Sequence, residues 1–345
     1  MKKKRIYYLD LIKIIAVLLA IAVHVVSPMF WRNEIGSDSW LIANFVQGVS
    51  RWVLPAFVMA TGALILEPKY KLPRKKILNR TGRFILALII FGMFYNIAFM
   101  LATYGTLNLN LFFDSARDLS RAETASHLWF LFMFVGLYLV LPLLRVFVQA
   151  ATKRDIEYFL LLWVIFSLTL PLLNISALKP LVNSLQINLV IGYTGYLLLG
   201  YYLKTYDFKP KVNYLLYIIG IICVGITMYG TYHLAMNNDE VIRRFINFLT
   251  LNVALTATAV FILCKNYFNK FKEPIAKKIT YLSSYTFAII ILHGIFVYII
   301  PMVYTPDWLY NNLWLTPIVV VIIYILTLGL SMALCKIKLF NKILR

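Results

Sequence analysis

Apolar segments long enough to cross a membrane recur along this chain and constrain its fold more than any other feature. A helix needs about 20 apolar residues to cross the hydrocarbon core of a bilayer. Hydrophobic residues make up 61% of the sequence and charged residues only 14%, whereas soluble domains are about half apolar and a quarter charged. Spans are predicted at residues 6–28, 40–67, 84–105, 127–148, 158–175, 186–203, 213–235, 245–264, 280–300 and 312–335. We therefore expect an all-α integral membrane protein, one domain over residues 1–345, built as a bundle of about ten transmembrane helices.

Positive charges are concentrated in alternate connections between these spans, and the net charge is +20. The connections on one side, together with both chain ends, carry 25 Lys and Arg residues, and the connections on the other side carry six. Because Lys and Arg favour cytoplasmic loops, both termini are predicted to be cytoplasmic, and no nucleic-acid partner is expected. Many apolar segments follow the first one, so we interpret it as a span and not as a removed signal sequence.

The first span, in LDLIKIIAVLLAIAVH, carries three ionisable residues. Lys13 and His24 are eleven residues apart, about three helical turns, so they project from one face about 16 Å apart along the axis. Asp10 lies one turn before Lys13 on the same stripe. Ionisable groups at such depths usually face a cavity and indicate a functional site. Two structural alternatives remain: an interfacial ion pair between Asp10 and Lys13, and a hydrogen bond from His24 in helix packing.

Other polar residues fall at similar depths in the predicted spans. His127 opens the fourth span and His293 lies in the ninth, so both are predicted to share the middle or outer part of the bundle with His24. Histidine titrates near neutral pH and therefore suits proton transfer. Arg51, midway through the second span, needs an anionic or carbonyl partner, and a structural salt bridge is an alternative for it. His233 lies at an outer helix end and is interpreted as an interfacial residue.

A second group of basic residues is predicted on the cytoplasmic side. Arg80 and Arg83, in PRKKILNRTGRF, have the i,i+3 spacing that puts two forked guanidinium groups on one helix face, where they can grip phosphate. Lys13 approaches from the same side. The alternative is that these charges only fix the topology of the chain.

Several enzyme classes have no support in the sequence. It has no HExxH, no GxSxG and no Walker loop, so metalloprotease, serine hydrolase and ATPase functions are not indicated. The histidines lack the spacing of metal ligands, and no metal is expected. Cys223, Cys264 and Cys335 have no ligand spacing either and are interpreted as small core residues.

Four segments follow one another along the chain: LDLIKIIAVLLAIAVH, VSRWVLPAFVMATGALIL, RTGR and HLWFLFMFVGLYLVLPLL. Together they resemble the acyltransferase-3 family of bacterial membrane acyltransferases, in its stand-alone form without an SGNH-type domain. The sequence departs from the family in having Lys13 where arginine is usual and Thr61 where serine is frequent. Because lysine cannot form the bidentate fork of arginine, the role of Lys13 is altered if it binds phosphate.

The resemblance implies a multi-pass enzyme of the bacterial cell membrane that modifies surface polysaccharides as an O-acetyltransferase or a close variant. Its donor would be cytoplasmic acyl-CoA, with acetyl-CoA as the default and succinyl-CoA as a variant, and its acceptor a hydroxyl of a glycan or lipid-linked glycan. Arg80, Arg83 and Lys13 would hold the CoA phosphates, and His24 would be the general base. Direct transfer and a covalent acyl-histidine both remain open.

The remaining site residues have less specific predicted roles. Asp10 is expected to orient or pair with Lys13, and Arg51 or His127 to stabilise the tetrahedral oxyanion. Residues expected to contact the acceptor substrate are Trp129, Tyr138 and His293. A polysaccharide exporter or another secondary transporter is the alternative function, since intramembrane charges suit it too, although the sequence has no internal repeat of the kind many transporters have.

Overall fold

The computed structural model describes residues 5–69, 72–105, 109–175, 180, 184–185, 187, 191–303 and 315–345. Within these residues every regular element is a helix. The first seven helices are α1 (Tyr7–Arg32), α2 (Asp38–Ser50), α3 (Val53–Ile65), α4 (Arg74–Tyr104), α5 (Leu109–Ser120), α6 (Trp129–Ala150) and α7 (Lys153–Trp163). A π-helical turn, Val164–Thr169, continues α7 into α8 (Leu170–Leu173). The remaining helices are α9 (Thr194–Thr205), α10 (Pro210–Asn238), α11 (Leu251–Tyr267), α12 (Glu273–Ser283), α13 (Thr286–Val303), α14 (Thr316–Leu334) and α15 (Lys338–Leu344).

The described helices include seven candidate spans, or eight if the bent pair α12 and α13 is one span, which supports a multi-pass helical membrane protein. The predicted spans at 186–203 and 245–264 correspond to the shorter helices α9, of 12 residues, and α11, of 17 residues. Residues 186 and 188–190 of the former span, and 312–314 of the last one, lie outside the described residues. The count of about ten and the cytoplasmic position of both termini therefore stay predictions.

Helix α1 is the central element of the bundle. It packs against α2, α3, α11, α12, α13 and α14, and residues such as Ile12, Val17 and Ile21 are fully buried. An isolated polar side chain on such a helix costs free energy unless it meets a partner or a cavity. The stripe that carries Lys13 and His24 is therefore placed to face the interior of the protein.

The predicted second span is divided into two helices, α2 and α3, at Arg51 and Trp52. Pro55 is the third residue of α3, and a proline ring clashes with the carbonyl four residues earlier, which belongs to Arg51. The break therefore follows from the sequence VSRWVLP. It leaves Arg51 at the end of α2, inside the bundle.

Helices α3 and α9 approach each other closely because two glycines face backbone on the opposite helix. A Cβ atom on Gly62 would lie 2.0 Å from the carbonyl oxygen of Leu197, and one on Gly200 would lie 2.0 Å from that of Met59. Small residues allow such close packing between membrane helices. An ion pair of 2.7 Å between Lys204 and Glu67 joins the same two helices at their ends.

Helices α12 and α13 are bent by 57° at the residues Ser284 and Tyr285. The hydroxyl of Ser283 donates a hydrogen bond of 2.7 Å to the Asp10 carboxylate and so ties the bend to α1. The three cysteines are buried and unpaired, as small core residues are.

Candidate active site

Three histidines from three helices form a cluster inside the bundle. The ring centroid of His24 lies 5.2 Å from that of His293 and 6.0 Å from that of His127, and the other two rings are 4.9 Å apart. His24 is on α1, His293 on α13, and His127 precedes α6. A small cavity of about 80 Å³ is lined by all three rings and by Arg51. We call these three residues the histidine cluster.

Backbone carbonyls determine which nitrogen carries the proton in two of these rings. The carbonyl of Ile291 accepts hydrogen bonds from Nε2 of His127 (3.1 Å) and from the Tyr95 hydroxyl (2.9 Å). The carbonyl of Ile289 lies 3.2 Å from Nδ1 of His293. Because a carbonyl oxygen only accepts, each facing nitrogen is protonated and the other ring nitrogen keeps a lone pair. Those other nitrogens are buried without a hydrogen-bond partner among the described residues.

Gly294 makes room for the His127 ring. A Cβ atom at this position would lie 2.3 Å from Cε1 of His127, closer than real Cβ contacts. His293 is therefore a member of the cluster, and the adjacent Gly294 leaves the space for the His127 ring. His24 itself forms no hydrogen bond among the described residues and is half-buried, so its ring faces the cavity.

At the end of α1 that carries Lys13, a cavity of about 450 Å³ is lined by cationic groups from three parts of the chain. We call it the basic pocket, and its cationic residues are Arg5, Lys13, Arg80, Arg83 and Arg345. Ser283, Ser284 and Thr286, at the bend before α13, also line it. Hydroxyl groups and a helix N-terminus beside several cations make a site suited to phosphate.

The two arginines of RTGR differ in their surroundings. Arg83 donates to the carbonyls of Ile343 (2.7 Å) and Arg345 (3.1 Å) and stacks over the ring of Phe287 at 4.8 Å. Arg80 has no such partner in the part of the chain that the structure describes. Arg83 therefore holds the C-terminal helix α15 in place as well as lining the basic pocket.

Asp10 is 4% exposed and lies behind the wall of the basic pocket. We expected it to orient or pair with Lys13. Its carboxylate forms an ion pair of 2.7 Å with Arg5, accepts the hydrogen bond from Ser283, and also interacts electrostatically with Lys13. Asp10 is about 21 Å along α1 from His24, so it does not belong to the histidine cluster, and it positions two groups that line the basic pocket.

Three phenylalanines separate the basic pocket from the histidine cluster. Phe57, Phe130 and Phe134 line both cavities, and we call them the phenylalanine collar. Phe134 contacts the other two rings edge to face, at centroid distances of 5.9 and 6.2 Å. The collar is apolar and suits the passage of an uncharged chain between the two cavities.

On the other side of the histidine cluster lies a cavity of about 400 Å³. It shares the lining residues His24, Arg51, Trp129 and Phe248 with the small cavity at the cluster. We call it the aromatic pocket. Trp129 stacks on Phe248 at 5.7 Å with an interplanar angle of 25°. Trp31, which also lines this pocket, is 18 residues after Lys13, about 27 Å along α1. The basic and aromatic pockets therefore open toward opposite ends of the bundle.

The predicted site residues divide among these cavities. The small cavity at the histidine cluster is lined by His24, His127, His293, Arg51 and Trp129. The basic pocket is lined by Lys13, Arg80 and Arg83. Tyr138, nine residues after Trp129 on α6 and about 14 Å along the helix from it, lines the basic pocket, and its contact with the acceptor stays a prediction.

Sequence reasoning missed several residues that line the pockets. Arg5 and Arg345 were counted only as topological charges at the chain ends, and Arg243 only as a charge in an outer loop. Gln47 and Phe248 carried no signal, since an amide and an aromatic residue are common in any span. Among the described residues no group of three His, Cys, Asp or Glu side chains is arranged to hold a metal ion.

Comparison with known proteins gives one finding. A family model described as an acyltransferase domain matches residues 6–336, nearly the whole chain. The matched range includes every residue of the histidine cluster and the aromatic pocket, and all of the basic pocket except Arg5 and Arg345. No curated protein and no solved structure matches the sequence.

Proposed function

The chain belongs to the acyltransferase-3 family of membrane acyltransferases, and we propose that it moves an acetyl group from cytoplasmic acetyl-CoA to a hydroxyl of a cell-surface glycan or lipid-linked glycan precursor. The bacterial inner membrane is the proposed location, with both termini in the cytoplasm. One observation carries this proposal. The histidine cluster lies between the basic pocket and the aromatic pocket. Its small cavity has lining residues in common with the aromatic pocket, and the phenylalanine collar lines both the small cavity and the basic pocket.

The basic pocket is the proposed donor site. Arg80, Lys13 and Arg5 provide donors for the CoA phosphates, which carry several negative charges. The uncharged pantetheine arm passes Tyr138 and the phenylalanine collar, and this presents the thioester at the histidine cluster. The collar excludes water from the thioester, which disfavours its hydrolysis.

His24 is the proposed general base, because its ring faces the cavity without a hydrogen-bond partner among the described residues. In direct transfer it accepts the proton of the acceptor hydroxyl while the hydroxyl oxygen bonds to the thioester carbonyl carbon. The resulting oxyanion is stabilised by Arg51, because the N–H of neutral His127 already donates to the carbonyl of Ile291. The carbon–sulfur bond then breaks, and the CoA thiolate takes up the proton from His24.

The aromatic pocket is the proposed acceptor site. Trp129 and Phe248 offer stacked ring faces, on which the C–H faces of a sugar can pack, and amide and hydroxyl groups surround them. Sites that bind small molecules combine apolar walls with a few oriented polar groups in this way. His24 and Arg51 line both this pocket and the small cavity, so an acceptor hydroxyl bound here reaches the base.

The experiment measures thiol release from acetyl-CoA by purified wild type, His24→Ala and His233→Ala. His233 is exposed, lies on α10, and lines none of the three cavities of the site, so His233→Ala is the matched control. We expect His24→Ala to lose at least about 100-fold in turnover and His233→Ala to match the wild type. Equal turnover in His24→Ala would assign the base to another residue. No turnover by any protein with a range of glycan acceptors would favour transport.

A further inference from the structure

The aromatic pocket contains two guanidinium groups, those of Arg51 and Arg243. None of its lining residues is Asp or Glu, and no ion pair found in the described part of the chain involves either arginine. Two like charges beside one cavity repel each other and raise the free energy of the empty pocket. A bound anion relieves that repulsion.

Arg51 has only part of its hydrogen-bonding capacity satisfied. One Nη donates to Oε1 of Gln47, a side chain that is 1% exposed, and the guanidinium lies 5.3 Å from the ring centre of Phe248. Its Nε is buried without a hydrogen-bond partner among the described residues. An unsatisfied buried donor is costly, and this one borders both the histidine cluster and the aromatic pocket.

Arg243 lies at the mouth of the same pocket. Its guanidinium carbon is 4.7 Å from the ring centre of Trp31, and such stacking fixes the orientation of the group while leaving its N–H donors free at the edge. Glu34, Asp239 and Glu240 border a neighbouring cleft that Arg243 also lines. In the described part of the chain none of these carboxylates is within ion-pair distance of Arg243, so its donors remain available.

The spacing along α1 gives the distance between the reacting group and this cation. Trp31 follows His24 by seven residues, two turns on the same face and about 10 Å. That distance is on the order of one or two sugar rings. Trp129 and Phe248 line the same pocket and offer ring faces for packing against sugar.

From this arrangement we propose that the acceptor is an anionic carbohydrate, with a carboxylate or phosphate one or two sugar units from the acylated hydroxyl. Arg243 is the residue that contacts the anionic group, and Trp31 holds Arg243 in position. This inference rests on the proposed function, because the aromatic pocket is an acceptor site only if acyl transfer takes place there.

The test uses the full chain in detergent and three soluble probes. Methyl glucuronide carries a carboxylate, glucose 1-phosphate carries a phosphate, and methyl glucoside is the neutral control. Thiol release from acetyl-CoA is measured with each probe, and binding of each probe is measured by calorimetry without CoA. We expect at least one anionic probe to stimulate thiol release, and to bind, at concentrations about tenfold lower than the neutral probe requires.

Two variants assign the preference to one side chain. Arg243→Gln should bind and use the charged and neutral probes equally, and Arg243→Lys should recover part of the difference, since a lysine keeps the charge. Arg244→Gln removes the adjacent charge, which does not line the pocket, and should keep the wild-type preference. Thermal unfolding of each variant establishes that it is folded.

The outcomes separate this inference from the proposed function. Thiol release that depends on an added sugar but is equal for charged and neutral probes would overturn the inference and leave acyl transfer standing. A tenfold calorimetric preference without any thiol release would support the anion site and contradict acyl transfer. A preference that survives in Arg243→Gln would also overturn the inference.

Discussion

Arg80 and Arg83 both line the basic pocket and carry the same charge, but their hydrogen bonding differs. Arg80 has no hydrogen-bond partner among the described residues, so all of its donors are available to a ligand. Arg83 donates two hydrogen bonds, to the carbonyls of Ile343 and Arg345. The i,i+3 pair thus combines one arginine free to bind phosphate with one that also anchors the C-terminal helix.

This difference predicts different effects of two substitutions. Arg80→Ala should raise the KM for acetyl-CoA about tenfold, since a charge-assisted hydrogen bond is worth about 1.5–3 kcal/mol, and should change kcat less. Arg83→Ala should also lower the melting temperature, because α15 loses two hydrogen bonds. Steady-state kinetics and thermal unfolding measure both effects.

Arg74→Ala is the control for these variants, because Arg74 begins α4 but is exposed outside the basic pocket. It should leave KM and melting temperature unchanged. A melting temperature lowered equally by Arg80→Ala and Arg83→Ala would contradict the division of roles.

At the scale of helices, the histidine cluster depends on how closely α13 approaches the start of α6. Tyr95 on α4 and His127 donate to the same carbonyl, that of Ile291 on α13. Gly294 leaves the space that the His127 ring occupies. The backbone of α13 therefore sets both the orientation and the position of His127.

Gly294→Ala should impair turnover far more than folding. The added methyl group would lie 2.3 Å from the His127 ring, so the ring or α13 must move, and a displacement of about 1 Å at a reacting centre can cost about 100-fold in rate. Gly136→Ala on α6 adds a methyl group with no atom within 4 Å and is the control. Thiol release and thermal unfolding are measured for both, and unchanged turnover in Gly294→Ala would remove His127 from the site.

The sequence was informative where physical constraints are local. The helical period placed Lys13 and His24 on one face of α1, and both line cavities. The break at Arg51 follows from Pro55, although we predicted a continuous span. Contacts such as that between Arg83 and Ile343, 260 residues apart, depend on how helices pack, and nothing in the local sequence specifies them. For the same reason Arg243 was interpreted only as a loop charge.

At the scale of the whole molecule, the basic pocket and the aromatic pocket lie toward opposite ends of the bundle. Lys13 and Trp31 line different pockets and are about 27 Å apart along α1, close to the hydrocarbon thickness of a bilayer. Under the proposed orientation, the basic pocket opens to the cytoplasm and the aromatic pocket to the opposite face. The donor and acceptor then never share a compartment, and only the acyl group crosses.

The orientation predicts which positions a membrane-impermeant maleimide can label on intact cells. In a background without Cys223, Cys264 and Cys335, Ser120→Cys at the end of α5 should be labelled, because the loop that follows the third span is predicted to be outside. Lys270→Cys should be labelled only after permeabilisation. Both positions are exposed and therefore accessible to the reagent. The reverse labelling pattern would show the opposite topology, with the proposed donor and acceptor sides exchanged.

The phenylalanine collar has a consequence for the cell that makes this protein. Two water-accessible cavities that enter a bundle from opposite ends form a proton leak as soon as the constriction between them opens. Here that constriction is formed by the three aromatic rings of the collar, next to the small cavity of about 80 Å³ at the histidine cluster. An arm of methylene and amide groups that slides between Phe57, Phe130 and Phe134 fills the gap that it creates. Under the proposed function, the donor arm therefore blocks the passage while it lies in the collar, and this limits ion leakage during turnover.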